Sequence, residues 1–212
     1  MISDQKSSNN SQQIFVHHVG VAEDVLGPGK RLVIWTSGCP MNCPGCIEPG
    51  LHNIEAGIPW GVGNFYHKIK PSLVQLKKVT ISGGEPFYQP LALSGLLNLL
   101  NHDCEVMIFS GYKWNYLNSQ FIDILPYVDI LVAGEYDQGK QGSYLWRGSC
   151  NQQIISPSNK YSHETINFWM NAPSAGIQVV FEDDNMFVYG VPAKGVLDDL
   201  YISLHNKKIS TS

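Results

Sequence analysis

Short apolar strands alternate with helical patterns between residues 31 and 133. The strand patterns, rich in β-branched and aliphatic residues, cover 31–35, 78–82, 104–109 and 128–133. The helical patterns cover 58–76, 90–101 and 115–125. Strands that alternate with helices indicate a parallel sheet with helices packed on it. We therefore expect an α/β fold with mostly parallel strands, either open or rolled into a partial (β/α) barrel.

The two ends of the chain depart from this alternation. Residues 1–13 are polar and rich in Ser and Asn, which predicts a disordered tail. Residues 156–174 are polar and irregular, and residues 176–189 carry the pattern of a β-hairpin. We expect a core over 14–155 and a C-terminal extension over 156–212, including the small hairpin, that packs on the core.

The composition excludes several classes of function. The formal net charge is −4 and no basic run is present, so nucleic acid is not an expected partner. No stretch approaches the roughly 18 apolar residues of a membrane helix, and the N-terminus lacks the apolar segment of a secretory signal. An odd count of 5 cysteines argues against a secreted disulfide framework. We expect a cytoplasmic protein without membrane partners.

Three unusual loops follow the predicted strands. They contain Cys39, Cys43 and Cys46, then Gly83-Gly84-Glu85-Pro86, and then Ser110-Gly111-Tyr112. In parallel α/β folds, the loops after the carboxyl ends of the strands form the functional site. We therefore expect the three loops to meet on one rim of the sheet.

The cysteines form a C-x3-C-x2-C run that ends at Cys46. Three thiolates this close together can converge on one inorganic centre, and a tetrahedral or cubane site would then lack one protein ligand. An open position makes a metal site reactive, because a substrate or cofactor can occupy it. A 4Fe-4S cluster with one iron left for a small molecule fits this run. A zinc site completed by His52 is the alternative, although a second cysteine knuckle is missing.

The run resembles the signature of the radical S-adenosylmethionine (SAM) enzymes and, more narrowly, that of the activating enzymes of anaerobic ribonucleotide reductase. The matching stretches are Gly27-Pro28-Gly29-Lys30-Arg31, Cys39-Pro40-Met41-Asn42-Cys43-Pro44-Gly45-Cys46, Ser82-Gly83-Gly84-Glu85-Pro86 and Trp146-Arg147-Gly148-Ser149-Cys150-Asn151-Gln152. The resemblance covers about residues 14–155. It implies that this segment is a radical SAM core, a partial (β/α) barrel that carries one 4Fe-4S cluster.

The resemblance also implies the ligands. Cys39, Cys43 and Cys46 would ligate three irons, and the amine and carboxylate of SAM would chelate the fourth. The predicted SAM-binding residues are Gly83, Gly84, Glu85, Pro86, Ser110 and Arg147. Glycines allow close backbone approach, and a carboxylate or carbonyl in that turn can accept a hydrogen bond from the SAM ammonium group. Ser110 is otherwise a turn serine, and Arg147 a partner of a substrate anion or of a structural carboxylate.

The activity implied by the resemblance is reductive cleavage of SAM to a 5′-deoxyadenosyl radical, which would install a glycyl radical on a partner enzyme such as anaerobic ribonucleotide reductase. A low-potential donor of the flavodoxin or ferredoxin type would supply the electron. Ala133, where the activators often carry Asp, Cys150, where Ser is usual, and the C-terminal hairpin motivate an alternative. In that alternative the enzyme abstracts hydrogen directly from a peptide or small molecule. A non-enzymatic iron–sulfur or zinc binding module is the second alternative.

Overall fold

A computed structural model describes residues 12–100, 103–182 and 185–209 of the chain. The strands are β1 Gln13–Glu23, β2 Lys30–Thr36, β3 Ile58–Gly61, β4 Lys78–Gly83, β5 Glu105–Ser110, β6 Ile130–Ala133, β7 Gln141–Tyr144, β8 Arg147–Ser149, β9 Gln153–Ile155, β10 Ile177–Glu182 and β11 Asn185–Gly190. The α-helices are α1 Val62–Leu76, α2 Pro90–Leu100, α3 Trp114–Gln120, α4 His163–Asn171 and α5 Val196–Ile209. None of the helices in these described ranges has the length and hydropathy needed to cross a membrane.

The central sheet has the strand order β3-β1-β2-β4-β5-β6-β9. The four strands in its middle, β2, β4, β5 and β6, pair in parallel. The flanking strands β1, β3 and β9 pair antiparallel to their neighbours. The prediction of an α/β fold with a largely parallel sheet is therefore confirmed for its centre, while β1 and β9 run opposite to the central strands and β3 runs opposite to β1.

The antiparallel start of the sheet has a local cause. A short turn joins β1 to β2, and a short connection can only link antiparallel strands. Within this turn the side chain of Asp24 accepts a hydrogen bond from Gly29 N at 2.7 Å. Gly27 and Gly29 have φ values of +124° and +71°, a region that glycine adopts without steric cost.

The helix predicted over 58–76 is wrong in its first four residues. These residues form β3, which pairs with β1 at the edge of the sheet, and the helix begins only at Val62. Pro71 lies inside α1 without ending it. Pro71 is exposed, so the carbonyl one turn earlier that it leaves without a backbone donor is near water.

Two other predictions need correction. Residues 156–174, predicted as irregular, contain α4, whose N-cap Ser162 accepts a hydrogen bond from Thr165 N. The helix predicted over 115–125 ends at Gln120 as α3, and a 3-10 turn follows at Leu125–Tyr127. Most of the predicted disordered tail, residues 1–11, lies outside the described residues, and Gln13 already begins β1.

The sheet is covered on both faces. The face that carries Leu32, Ile34 and Ile81 packs against α1 and α2 and forms the larger core. The opposite face carries Val33, Trp35, Met107, Phe109 and Val132, and it packs against residues of α4, β10 and β11. Elements after residue 155 therefore complete the second layer of the fold.

The β10–β11 hairpin docks on β1 and β2 through Tyr189, which is 2% exposed. The hydroxyl of Tyr189 lies 2.9 Å from Nε2 of His18. The ring of His18 stacks on Phe187 with a centroid distance of 4.1 Å. A Cβ at Gly20 would lie 2.3 Å from the Tyr189 hydroxyl, so this position of β1 must be glycine for the hairpin to seat.

A buried ion pair ties the opposite end of the sheet together. Arg31, with a fully buried side chain, donates to Glu105 Oε1 at 3.1 Å and to the hydroxyl of Thr80 at 2.6 Å. The hydroxyl of Tyr161, which precedes α4, donates to the second oxygen of Glu105. The pair thus joins three strands of the core to the segment that follows residue 155.

We predict that Glu105→Ala destabilises the fold by about 3–5 kcal/mol, because it leaves the Arg31 guanidinium buried without a counter-charge. Denaturant unfolding monitored by tryptophan fluorescence measures the change. Lys140→Ala, which removes the exposed ion pair to Asp137 at 2.8 Å, is the control and should leave the unfolding midpoint unchanged. Equal midpoints for the two variants would contradict the importance of the buried pair.

Candidate functional site

The cysteine loop, residues 37–48, leaves the carboxyl end of β2 and is held at its start. Ser37 N donates to Phe15 O, and the Ser37 hydroxyl donates to Ile54 O at 2.6 Å. Gly38 N and Cys39 N donate to the carbonyls of Leu51 and His52. These bonds fix the direction in which the loop leaves the sheet.

Cys39, Cys43 and Cys46 are all half-buried in this loop. Burial raises the pKa of the Cys39 thiol, while a hydrogen bond from the Met41 backbone lowers it. Burial also raises the pKa of the Cys43 thiol, and the carboxylate of Glu135 raises it further. A negative charge on Cys46 also raises the pKa of each of these two thiols.

The donor set of the loop fits an iron–sulfur cluster. Thiolates are the soft ligands that such clusters use, and hydrogen bonding by the backbone of Met41 and of Tyr136 lowers the pKa of the Cys39 and Cys43 thiols, respectively. Among the described residues, no three His, Cys, Asp or Glu side chains are grouped closely enough to hold a single metal ion. The assignment of the three cysteines as ligands therefore stays a prediction.

Gly83 packs against the backbone at the end of β2, and Gly84 packs against the backbone of Gly38 in the cysteine loop. Gly84 N donates to Thr36 O at 2.7 Å, and Glu85 N donates to Gly38 O at 2.9 Å. A Cβ at Gly83 would lie 2.3 Å from Thr36 O, and one at Gly84 would lie 2.5 Å from Gly38 O. The sequence predicts that these glycines allow a ligand to approach the backbone closely. In the structure, the protein's own backbone already requires glycine at both positions.

Glu85 joins this turn to the end of β5. Its carboxylate is 1% exposed and accepts hydrogen bonds from the Ser110 hydroxyl, from Gly111 N at 2.7 Å and from Phe87 N at 3.0 Å. Burial raises the pKa of Glu85 to about 7, although these donors lower it. The Ser110 hydroxyl, predicted to face SAM, donates instead to both oxygens of this carboxylate.

The neighbouring Pro86 is buried and begins a 3-10 turn, Pro86–Tyr88. This turn directs the chain from the rim into α2, which starts at Pro90. In this arrangement the side chains of Glu85, Pro86 and Ser110 are all engaged within the protein. The backbone of the turn remains as the part that can contact a ligand.

Arg147 lies apart from these loops. It is 3% exposed, and its guanidinium donates to the carbonyls of Gln152 and Met170. Met170 lies in the last turn of α4, where a cation stabilises the helix dipole. Among the described residues Arg147 pairs with no carboxylate, and its buried Nε has no hydrogen-bond partner. The guanidinium is thus bound by backbone carbonyls, and the assignment of Arg147 to SAM stays a prediction.

The sequence patterns did not identify a further loop that reaches the cysteines. Glu135 follows β6, and its Oε1 lies 3.9 Å from Sγ of Cys43. Hydrogen bonding by the backbone of the next residue, Tyr136, lowers the pKa of the same thiol. The position of Glu135 just after a strand of the parallel sheet was the signal that could have identified it, since Gly134 marks the strand end.

Two cavities open beside the cysteine loop. The larger, about 810 Å³, has Pro44, Lys113, Trp114, Glu135, Tyr136 and Asn151 among its lining residues. The smaller, about 330 Å³, is lined by Met41, Gly111, Tyr112, Lys113, Tyr116 and Glu135. The rim therefore offers both aromatic rings and charged groups next to the candidate cluster ligands.

Comparison with known families matches the segment that contains this site. A family model described as a 4Fe-4S single cluster domain matches residues 25–155. The match runs from the β1–β2 turn to the last residue of β9. The elements that follow, from α4 to α5, lie outside it.

Curated relatives carry the name anaerobic ribonucleoside-triphosphate reductase-activating protein. The protein from Haemophilus influenzae is 31% identical over 142 residues, which are 62% of this chain and 91% of the relative. Those from Escherichia coli and from phage T4 are 27% and 29% identical, covering 65% and 62% of this chain and 96% and 87% of the relatives. Among solved structures, QueE from Escherichia coli is 19% identical, with a TM-score of 0.41 over 50% of this chain and 57% of that one.

We predict that Gly84→Ala destabilises the protein by about 1–3 kcal/mol, because its methyl group would overlap Gly38 O. The displaced cysteine loop should also take up less iron during anaerobic reconstitution. Iron per chain and the unfolding midpoint measure the two effects. Gly50→Ala is the matched control, since a Cβ there meets no atom within 4 Å. Normal iron uptake by the Gly84 variant would show that this contact does not shape the loop.

We also predict a pH dependence from Glu85. Because burial raises its pKa from 4.5 to about 7, the folded protein holds a proton that the unfolded chain releases above pH 4.5. The free energy of unfolding of the cluster-free protein should therefore fall by about 3 kcal/mol between about pH 4.5 and 7. Above that range, the contribution of Glu85 to this free energy should stay constant.

Urea unfolding at a series of pH values tests this dependence. Glu85→Gln should remove the decrease, whereas Glu55→Gln, at an exposed position of the Ile54–Ala56 turn, should retain it. The same pH profile in wild type and in the Glu85 variant would assign the decrease to other groups.

Proposed function

The chain belongs to the 4Fe-4S single-cluster domain family and to that of the anaerobic ribonucleoside-triphosphate reductase-activating proteins, and we propose that it installs a glycyl radical on a large partner enzyme such as anaerobic ribonucleotide reductase. The family match confirms the predicted 4Fe-4S cofactor. The relatives confirm the predicted resemblance to the activating enzymes and the prediction of an enzyme. The second cofactor is SAM.

One observation carries this proposal in the structure. The cysteine loop is joined to the glycine-containing turn by the bond from Glu85 N to Gly38 O. That turn is joined to the end of β5 by the Glu85 carboxylate, which binds Ser110 and Gly111. Hydrogen bonds therefore connect the three loops at the carboxyl ends of adjacent parallel strands. Such a connected rim suits a site in which a ligand must be held against a cluster.

Each part of the rim has a role in this proposal. Cys39, Cys43 and Cys46 would hold the cluster, which when bound supplies the electron that cleaves SAM to methionine and a 5′-deoxyadenosyl radical. The backbone of residues 83–86 would orient SAM, and the buried Glu85 would keep that backbone in place. The larger cavity, with Trp114 and Tyr136, would provide room and aromatic surface for the adenosine.

The surrounding architecture follows the same proposal. Residues 14–155 would form the radical SAM core with the curvature of a partial (β/α) barrel, and α4 and the β10–β11 hairpin would belong to an extension packed on it. The electron comes from a low-potential donor of the flavodoxin or ferredoxin type in the cytoplasm. Two observations support a boundary after residue 155. The family match ends at this residue, and the parallel strands of the sheet end before it.

A second candidate function is hydrogen abstraction from a peptide or small molecule. One observation favours it: α4 and the β10–β11 hairpin, which lie outside the family match, cover the sheet face that bears Trp35 and Phe109. Because this face is covered, a substrate would reach the radical through the cavities at the rim. This candidate predicts substrate-dependent formation of 5′-deoxyadenosine with a short peptide or small molecule and without a glycyl radical enzyme.

The test of the leading proposal is electron paramagnetic resonance (EPR) on the reconstituted, reduced protein mixed with SAM and an anaerobic ribonucleotide reductase. We expect a glycyl radical signal on the reductase. Absence of that signal, with product formed from a small substrate instead, would favour the second candidate.

We predict that Cys43→Ala abolishes both the reduced-cluster signal and the glycyl radical, because two remaining thiolates cannot hold the cluster. The matched control is Cys150→Ala, at an exposed position outside the cysteine loop. It should assemble the cluster and activate the reductase as the wild type does. Iron analysis and EPR of both variants measure the outcome, and an intact cluster in the Cys43 variant would refute the ligand assignment.

A further inference from the structure

The β10–β11 hairpin covers the part of the sheet face that adjoins the candidate site. One apolar cluster joins hairpin residues to sheet residues, namely Val180, Phe187 and Tyr189 to Val33, Trp35 and Phe109. Trp35 lies two residues before Ser37, where the cysteine loop leaves β2. Phe109 directly precedes Ser110 at the end of β5. The covered surface therefore reaches the rim at which, in the proposed function, the radical forms.

This cover is an addition to the matched domain. The family match ends at residue 155, before β10 begins. The Escherichia coli relative is matched over 96% of its length by only 65% of this chain, so much of this chain has no counterpart there. The same sheet face without the hairpin would be exposed, and an exposed apolar patch marks a contact with another protein. The hairpin thus occupies a surface that a partner protein would otherwise cover.

Side chains fasten the hairpin to the core. Strands β10 and β11 pair with each other, and among the described residues no backbone hydrogen bond joins either of them to the central sheet. The Tyr189 hydroxyl lies 2.9 Å from Nε2 of His18. The side-chain amide of Gln178 accepts from Glu23 N at 3.0 Å and donates to Val21 O at 3.2 Å. The hairpin can therefore leave the sheet without breaking a strand pair.

Two glycines lie at the base of the hairpin. Gly176 precedes β10 with a φ of +83°, and Gly190 ends β11 with a φ of +122°. A Cβ at Gly190 would lie 2.7 Å from Gly176 O, whereas one at Gly176 would meet no atom within 4 Å. Glycine changes its backbone angles at little steric cost, and hinges consist of a few such positions at the ends of elements. The base of the hairpin therefore has the properties of a hinge.

The other element on this side of the sheet, α4, is held by buried charged groups. Arg147, which is 3% exposed, donates to Met170 O in the last turn of α4. The hydroxyl of Tyr161, just before α4, donates to the buried Glu105. The hydrogen bonds of the hairpin to β1 lie instead at half-buried or exposed positions. Of the two elements, the hairpin is the one that can be displaced.

We propose, on the basis of the function proposed above, that the β10–β11 hairpin is a displaceable cover on the surface that the partner enzyme binds. The free protein is closed, and the partner binds once the hairpin has turned away about its glycine base. The fitting partner segment is a polypeptide whose apolar or aromatic side chains replace Phe187 and Tyr189 against Trp35. The apparent affinity for this partner is then reduced by the fraction of molecules in which the hairpin is open.

The first test is glycyl radical formation, followed by EPR, at a series of concentrations of an anaerobic ribonucleotide reductase. Phe187→Ala removes the ring that stacks on His18 at 4.1 Å. It should lower the reductase concentration for half-maximal activation about fivefold, because the open fraction rises. Tyr189→Phe, which loses the hydroxyl beside His18 but keeps the ring, should lower it about threefold. The cluster signal and the 5′-deoxyadenosine formed without reductase should match the wild type in both variants.

Phe181→Ala is the matched control. Phe181 belongs to the same hairpin but is 68% exposed, so its removal leaves the contacts with β1 and β2 in place. We expect an unchanged half-maximal concentration. A raised concentration in this control would place the partner on the outside of a closed hairpin and would overturn the proposal. An unchanged or raised concentration in both Phe187→Ala and Tyr189→Phe would also overturn it.

Hydrogen–deuterium exchange, read by mass spectrometry, reports the position of the hairpin directly. A two-stranded hairpin without packing is only marginally stable, so its amides exchange faster once it leaves the sheet. Peptides from β10 and β11 should exchange faster in free Phe187→Ala than in free Phe181→Ala, and faster in the wild type after the reductase binds. Slower or unchanged exchange in the wild-type complex would show that the hairpin stays in place and would contradict the proposal.

Failure of the proposed function has a different signature. In that case the wild type, with its cluster reduced and SAM present, forms no glycyl radical at any reductase concentration. The exchange comparison between the free Phe187 and Phe181 variants contains no reductase. Equal exchange in these two variants would reject the hairpin as a displaceable cover whatever the identity of the partner.

Discussion

Two backbone hydrogen bonds, from Gly84 N to Thr36 O and from Glu85 N to Gly38 O, extend the parallel pairing of β2 and β4 beyond the strand ends. They fix the position of the loop that holds the cysteines relative to the sheet. A side chain at 83 would collide with the backbone at the end of β2, and one at 84 would collide with the backbone of Gly38 in the loop, so both positions require glycine. The rest of the rim depends on this junction, because Glu85 can reach β5 only from a turn held in this place.

The buried side chain of Glu85 forms the second part of this junction, which is the link to the end of β5. A carboxylate that is 1% exposed is tolerated because Ser110, Gly111 and Phe87 donate hydrogen bonds to it. Its raised pKa shows that burial outweighs these donors. The same group therefore stabilises the geometry of the site and makes the stability of the protein sensitive to pH. Within the protein, Glu85 supports the backbone of the turn, and its predicted contact with SAM stays a prediction.

The segment after residue 155 gives the fold its second layer. Tyr189 and the His18 contact seat the hairpin on β1 and β2, and Arg147 joins the end of α4 to the core. Since the family match stops at residue 155, this layer distinguishes the chain from the matched domain. It turns one face of an otherwise ordinary α/β sheet into a buried interface and concentrates access to the site on the rim.

The spacing of the cysteines, the order of the strands in the centre and the glycine-containing turn were all readable in the sequence, because each depends on residues close together in the chain. The sequence therefore determined the cofactor class and the parallel centre of the sheet. Tertiary structure alone decided that Ser110 faces Glu85, that Arg147 binds α4 and that Glu135 meets Cys43. The physical reason is that these contacts join residues distant in sequence, and the choice of partner for a polar side chain is made by strand order and packing.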